Sequence, residues 1–163
     1  MQDQHTESTT EPLVFMRFRP AWAYIDGIRE FGRFFCETTF RNSDAAERAR
    51  VVLQETLENA VKYSTSGPES ELELSISARG EELEIAVTSL PEPEHLGALK
   101  DEIDRINKTD PAQAYIEAIE RAAEAPGGAS RLGLARMRLE GNVKLSVEDS
   151  EGGRIRVTAR GML

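Results

Sequence analysis

The sequence predicts an α+β fold, a two-layer sandwich with helices on one face of a mixed, mainly antiparallel sheet. Three observations carry that expectation. Strand patterns arrive mostly in hairpins, helical patterns lie between the hairpins, and one long helix with a continuous apolar stripe precedes the first hairpin. The hairpins are read from strict alternation. Leu72, Leu74, Ile76 and Ala78 alternate with Glu71, Glu73, Ser75 and Ser77. Leu83, Ile85 and Val87 repeat the pattern after Arg79-Gly80-Glu81. Such strands have one dry face and one wet face. A second hairpin closes the chain, with Val143, Leu145 and Val147, the turn Gly152-Gly153, then Ile155, Val157 and Ala159.

The other elements follow in order. Residues 1–11 are polar, hold no large apolar side chain and read as a mobile tail, which leaves His5 without a role. Residues 12–163 read as one domain. Leu13 to Arg19 reads as a strand closed by Pro20, with apolar residues on both faces. Ile28, Phe31 and Phe35 have helical spacing, which Gly27 and Gly32 weaken. Trp22 and its aromatic neighbours read as core or as a contact between two copies. Asn42-Ser43-Asp44 supplies cap chemistry for a helix to about Ser64, buried along Ala46, Ala49, Leu53, Leu57 and Ala60. After Pro91 and Pro93, a helical insert over 94–124 holds the stripe Leu96, Leu99, Ile103 and Ile106, and a second helix opens at Asp110-Pro111. Ser130 reads as the cap of a short helix with Leu132, Ala135 and Leu139 inward.

Composition narrows the function. The 163 residues carry 20 basic and 29 acidic side chains, a net charge of −9, which disfavours nucleic acid and anionic membranes as partners. With only Cys36 there is no intrachain disulfide and no zinc cluster, and Cys36 among Phe34 and Phe35 reads as a small buried apolar residue. No apolar run reaches the ~20 residues that span a bilayer, and no secretory signal is read, so a cytoplasmic chain is expected. Charge is uneven: residues 92–124 hold nine acidic and four basic side chains, residues 125–163 four acidic and seven basic. Two histidines, one of them His95 after Pro93, give no nucleophile–base spacing for a hydrolase.

Two segments carry candidate chemistry. In Glu55-Thr-Leu-Glu-Asn59-Ala-Val-Lys62 the carboxylate, amide and ammonium fall within roughly 60° of one another on a helix, away from the apolar stripe. A carboxylate there can deprotonate a nucleophile, an amide oxygen can bind Mg²⁺ and a lysine can meet phosphate. Spacing alone favours an ordinary solvated face with carboxylate–lysine neighbours. In Gly127-Gly128-Ala-Ser-Arg131-Leu-Gly133-Leu134, a glycine-rich loop enters a helix, where backbone N–H groups suit phosphate oxygens and Arg131 or Arg136 can add charge. A plain linker has the same composition.

Together and in this order, the two segments resemble the N-box and the lid glycine box of the GHKL (histidine-kinase-like) ATPase superfamily. The element order over 13–161 is similar to its Bergerat fold. Within it, the chain resembles the small RsbW-type serine/threonine kinases and anti-sigma factors of bacterial partner switching, and more so the SiaB-like group, through Leu132–Arg136 and Glu140. That resemblance implies Glu55 as general base, Asn59 as Mg²⁺ ligand, Lys62 beside the phosphates of ATP, and Gly127, Gly128 and Gly133 with Arg131 and Leu134 in the lid. It also implies a small regulatory protein as partner (STAS-type, SiaC-like or a sigma factor) and a possible homodimer. One departure stands out. The family's Asp with Gly-x-Gly, which holds the adenine amino group, is absent after Val87, where only Thr88 and Ser89 offer hydroxyls. Two functions from different classes follow: an ATP- and Mg²⁺-dependent protein kinase, or a nucleotide-free docking module.

Overall fold

The computed structural model describes residues 11–67, 70–125 and 129–162. The elements, in order, are strand β1 (Val14–Phe18), helices α1 (Trp22–Phe40) and α2 (Ser43–Tyr63), strands β2 (Leu72–Arg79) and β3 (Glu82–Ser89), helices α3 (Pro93–Lys108), α4 (Pro111–Glu124) and α5 (Ala129–Leu139), and strands β4 (Lys144–Asp149) and β5 (Ile155–Met162). The five strands lie in the order β1-β2-β3-β5-β4. Every neighbouring pair is antiparallel, so the sheet is antiparallel throughout rather than mixed. The α+β sandwich is the expected one. No described helix is long and apolar enough to cross a membrane.

Register divides the sheet into two faces. Met16, Leu74, Val87, Val157 and Val147 form one cross-strand row, and Val14, Ile76, Ile85, Ala159 and Leu145 another. Both rows join the core cluster with Ile25, Cys36, Leu53, Leu57, Ile106 and Met137 from the helices. The opposite face carries the row Arg17, Glu73, Thr88, Arg156 and Glu148. That face is less wet than alternation predicts. Ser75, Ser77, Thr88 and Thr158 are buried, because long side chains lie over small ones: Arg156 donates to the Ser75 hydroxyl at 3.2 Å and Arg160 to Glu84 at 2.7 Å.

The helix faces differ in part from the sequence expectations on α1 and α5. On α1 the buried residues are Ile25, Gly32 and Cys36; of the expected stripe, Ile28 and Phe35 pack against the core and only Phe31 is exposed. A Cβ on Gly32 would collide with Leu53 Cδ1, so the glycine that weakens the helix pattern is what lets α1 approach α2. Trp22, Tyr24, Phe31 and Phe34 are exposed and do not belong to the core, and Phe15 on the far side of β1 is 55% exposed. On α4 the inward residues are Ala114 and Ala118, while Ile116 and Ile119 face out. On α5, Leu139 is exposed and Leu134 and Met137 take the inward positions. That helix begins at Ala129, so Ser130 lies inside it rather than at its cap.

The capping signals elsewhere hold. Asn42 accepts from the Ala45 amide at 3.0 Å, and Asp110 from Ala112 and Gln113 at 3.0 and 3.1 Å. Cys36 is fully buried, and that burial pushes its thiol up to about 11. It is a packed small residue without thiolate character.

Candidate functional site

The last turn of α2 is tied to the end of β3. The Thr65 amide donates to the Leu90 carbonyl and the Glu92 amide to the Tyr63 carbonyl, both at 2.9 Å. This junction places Asn59, Lys62 and Tyr63 beside Ser89 and Pro91. Helix α3 then folds back over the gap. Between α2, β3, β5 and α3, with Leu134 of α5 at one side, lies a cavity of about 400 Å³. That volume lies within the ~300–1,000 Å³ of small-molecule sites. Its wall is largely apolar, through Val87, Leu96, Leu99, Ile155 and Val157.

Of the residues expected in a site, Asn59, Lys62, Ser89 and Leu134 line this cavity. Asn59 Nδ2 is buried and, among the described residues, has no hydrogen-bond partner. An unmet amide N–H in such a place costs roughly 1–3 kcal/mol until an acceptor reaches it. Lys62 is exposed, with its Nζ 5.2 Å from the centre of the Tyr63 ring. His95 lines the same wall, its ring 4.8 Å from that of Tyr63.

Glu55 is next to the cavity but not on its wall. The backbone of α5 passes so close that a Cβ on Gly133 would strike Glu55 Oε2 and come within 3.8 Å of Asn59 Nδ2. Glycine lets the two segments meet without displacing the end of the Glu55 side chain. Arg136 Nη1 donates to Glu55 Oε1 and its Nε to Glu140 Oε2, each at 2.9 Å. Arg136 is thus engaged by two carboxylates rather than offered to a phosphate. The Glu55 side chain is 12% exposed. Burial pushes its carboxyl above the ordinary value, and Arg136 only partly offsets this. An acid with a raised folded pKa stabilises the fold below its unfolded value, and that contribution is lost as pH rises through the folded value. Glu55→Gln is therefore expected to melt higher than the parent at pH 7.5, with the gap closing in acid; thermal melts at pH 7.5 and 4 check this. A lower melting point at pH 7.5 would mean that the ion pair outweighs burial.

The remaining calls divide. Thr88 does not share the site: it lies on the opposite sheet face, between Glu73 and Arg156. Its neighbour Ser89 points inward because successive residues of a strand alternate. Gly127, Gly128 and the side chain of Arg131 lie outside the described residues. Sequence reasoning missed Glu102, whose side chain is 7% exposed on the cavity wall. Arg105 donates to its two oxygens at 3.2 and 2.8 Å, and Arg121 at 3.1 Å to each. Burial raises the carboxyl, but the two guanidinium groups outweigh it and hold Glu102 below the ordinary value. The signal was present: an acid inside the Leu99–Ile103–Ile106 stripe, with Arg105 three residues on.

With the geometry in place, similarity can be stated. The architecture defines an α+β sandwich of SiaB-like fold. The chain superposes on a chain in the crystal structure of the SiaB–SiaC complex from Pseudomonas aeruginosa with a TM-score of 0.72 and 18% identity, over 93% of this chain and 90% of that one. At that identity the likeness is one of fold. No protein-family model matches the chain, and no curated protein does.

Proposed function

We propose that this chain is a partner-switching signalling regulator that binds ATP with Mg²⁺ in the cavity and acts on a small regulatory protein as a serine/threonine kinase or an anti-sigma-type switch. The observation that carries the reading is a small-molecule-sized cavity whose wall brings together Asn59, the exposed Lys62 and Ser89. The residues present fit the group. Asn59 Oδ1 would hold Mg²⁺ and Lys62 would meet the phosphates. Glu55, one helical turn before Asn59, would take the proton of the partner's hydroxyl. Bound MgATP would supply the transferable phosphoryl group and the charge neutralisation that its transfer needs. The structural relative named as a complex with SiaC supports a small protein, SiaC-like, as the partner.

A nucleotide-free docking module is the second reading, favoured by the Arg136–Glu55 ion pair, which engages the proposed base. Titration calorimetry separates the two. Micromolar binding of MgATP, weakened at least tenfold by Asn59→Leu, is expected. No heat and no thermal shift at millimolar MgATP would leave the docking module.

A further inference from the structure

We propose that the outer face of α4 is a docking surface for a basic amphipathic helix of a partner protein. Among the described residues, α4 contributes none to the cavity wall, so the inference stands apart from the nucleotide reading. The helix has two unequal faces. At ~100° per residue, Ala112, Ile116, Ile119 and Ala123 fall within roughly 60° of one another, and all four are exposed. Ala114 and Ala118 lie on the other side and are buried against the rest of the fold. The larger apolar side chains thus point away from the core, with Ile116 50% and Ile119 47% exposed. Half-buried Tyr115 and Ala122 continue the apolar surface along one border. Single exposed apolar residues are ordinary. A stripe whose steps are four, three and four is instead the seam that one helix offers to another.

Charge selects what covers that seam. Its other border is acidic: Gln113 donates to Glu117 at 3.1 Å, and Glu120 and Glu124 stand exposed with no ion-pair partner among the described residues. The four basic side chains of 92–124 are already engaged, Lys100 with Asp149, Lys108 with Asp104, and Arg105 and Arg121 with Glu102. The border therefore offers unbalanced negative charge, which favours lysine or arginine beside the apolar anchors of the occupant. A second copy is disfavoured, because antiparallel pairing of two α4 seams sets acidic border on acidic border. An anionic membrane is disfavoured for the same reason.

The test uses two synthetic helical peptides with leucine along one face, one carrying lysine at the other positions and one carrying glutamate. In ¹H–¹⁵N titrations of the full chain at about 0.15 M salt, the lysine peptide is expected to shift the amides of α4 saturably. It is expected to bind at least tenfold more tightly than the glutamate peptide. Ile116→Ser combined with Ile119→Ser is expected to weaken it at least tenfold while MgATP titrations stay as in the parent. Phe34→Ser, on the exposed face of α1, is expected to leave peptide binding unchanged. Glu120→Lys combined with Glu124→Lys is expected to reverse the preference between the peptides, a readout independent of the serine variant. Equal binding of the two peptides, shifts gathered on another element, or a serine variant that binds like the parent would overturn the proposal. So would self-association of the parent that the serine variant loses, since the occupant would then be a second copy.

Discussion

Replacing Glu102 by Ala is expected to lower the melting temperature by about 4–12 °C and to weaken any ligand of the cavity. The carboxylate is the point on which α3 and α4 converge: Arg105 reaches it from within α3 and Arg121 from α4, and Arg105 also contacts Glu117 of α4 at 2.6 Å. Removing one partner from a buried ion pair costs roughly 3–5 kcal/mol because the other charge is left unmet. The two arginines are 30% and 33% exposed and can turn partly to water. That lowers the expected loss to about 2–3 kcal/mol, and each kcal/mol is worth about 2–4 °C at this chain length. The sign with pH is fixed. The folded value of Glu102 is depressed, so its contribution is present above the unfolded value and is lost as pH falls through the folded one. Thermal melts of parent and variant should differ at pH 7 and converge in strong acid. An equal gap at both would assign the effect to packing instead of charge.

Gly141→Val is expected to cost about 3 kcal/mol or more, through the seam between α2 and α5. A Cβ at Gly141 would stand 2.5 Å from the Met137 carbonyl oxygen and 2.7 Å from Val52 Cγ2. The first is backbone in the last turn of α5, and the second belongs to a side chain only 1% exposed. Neither can yield, so α5 must lift from α2, and overpacking of that kind costs roughly 1–3 kcal/mol even for smaller additions. The same movement would draw Gly133 away from Glu55 and Asn59, so the variant should lose cavity binding along with stability. Gly27→Ala is the control. Nothing lies within 4 Å of a Cβ there, and a helical glycine replaced by alanine gains roughly 0.5–1 kcal/mol. Chemical denaturation of the three chains checks both signs. A Gly141→Val chain as stable as the parent would mean that α5 does not rest on α2 as described.

The order of elements was legible because each one carries its own period. Leu72–Ala78 and Leu83–Val87 alternate and become paired strands, and Ala49, Leu53, Leu57 and Ala60 step by three and four and become the buried face of α2. The pairing of the two segments has a spatial counterpart, since Gly133 lies against Glu55 and Asn59. Parity along β3 also held the answer on Thr88, because a residue between Val87 and Ser89 must face away from both. What lay beyond the sequence is tertiary. Arg136 and Glu55 are 81 positions apart, and nothing local marks them as partners. The aromatics of α1 read as core by hydrophobicity, yet Gly32 sets which side of the helix meets α2, and that side excludes Phe31 and Phe34. Glycine read as a helix breaker and glycine read as a close-contact residue look alike until the partner helix is placed.

The central claim is that Asn59 lines a ligand cavity and that its side-chain amide responds when MgATP binds there. Side-chain amide resonances of Asn59, assigned through Asn59→Asp and followed by ¹H–¹⁵N spectroscopy during titration with MgATP, test it most directly. The account predicts a saturable shift of that NH₂ pair together with the Ser89 backbone amide. Saturation of other resonances while the Asn59 pair stays in place would contradict it.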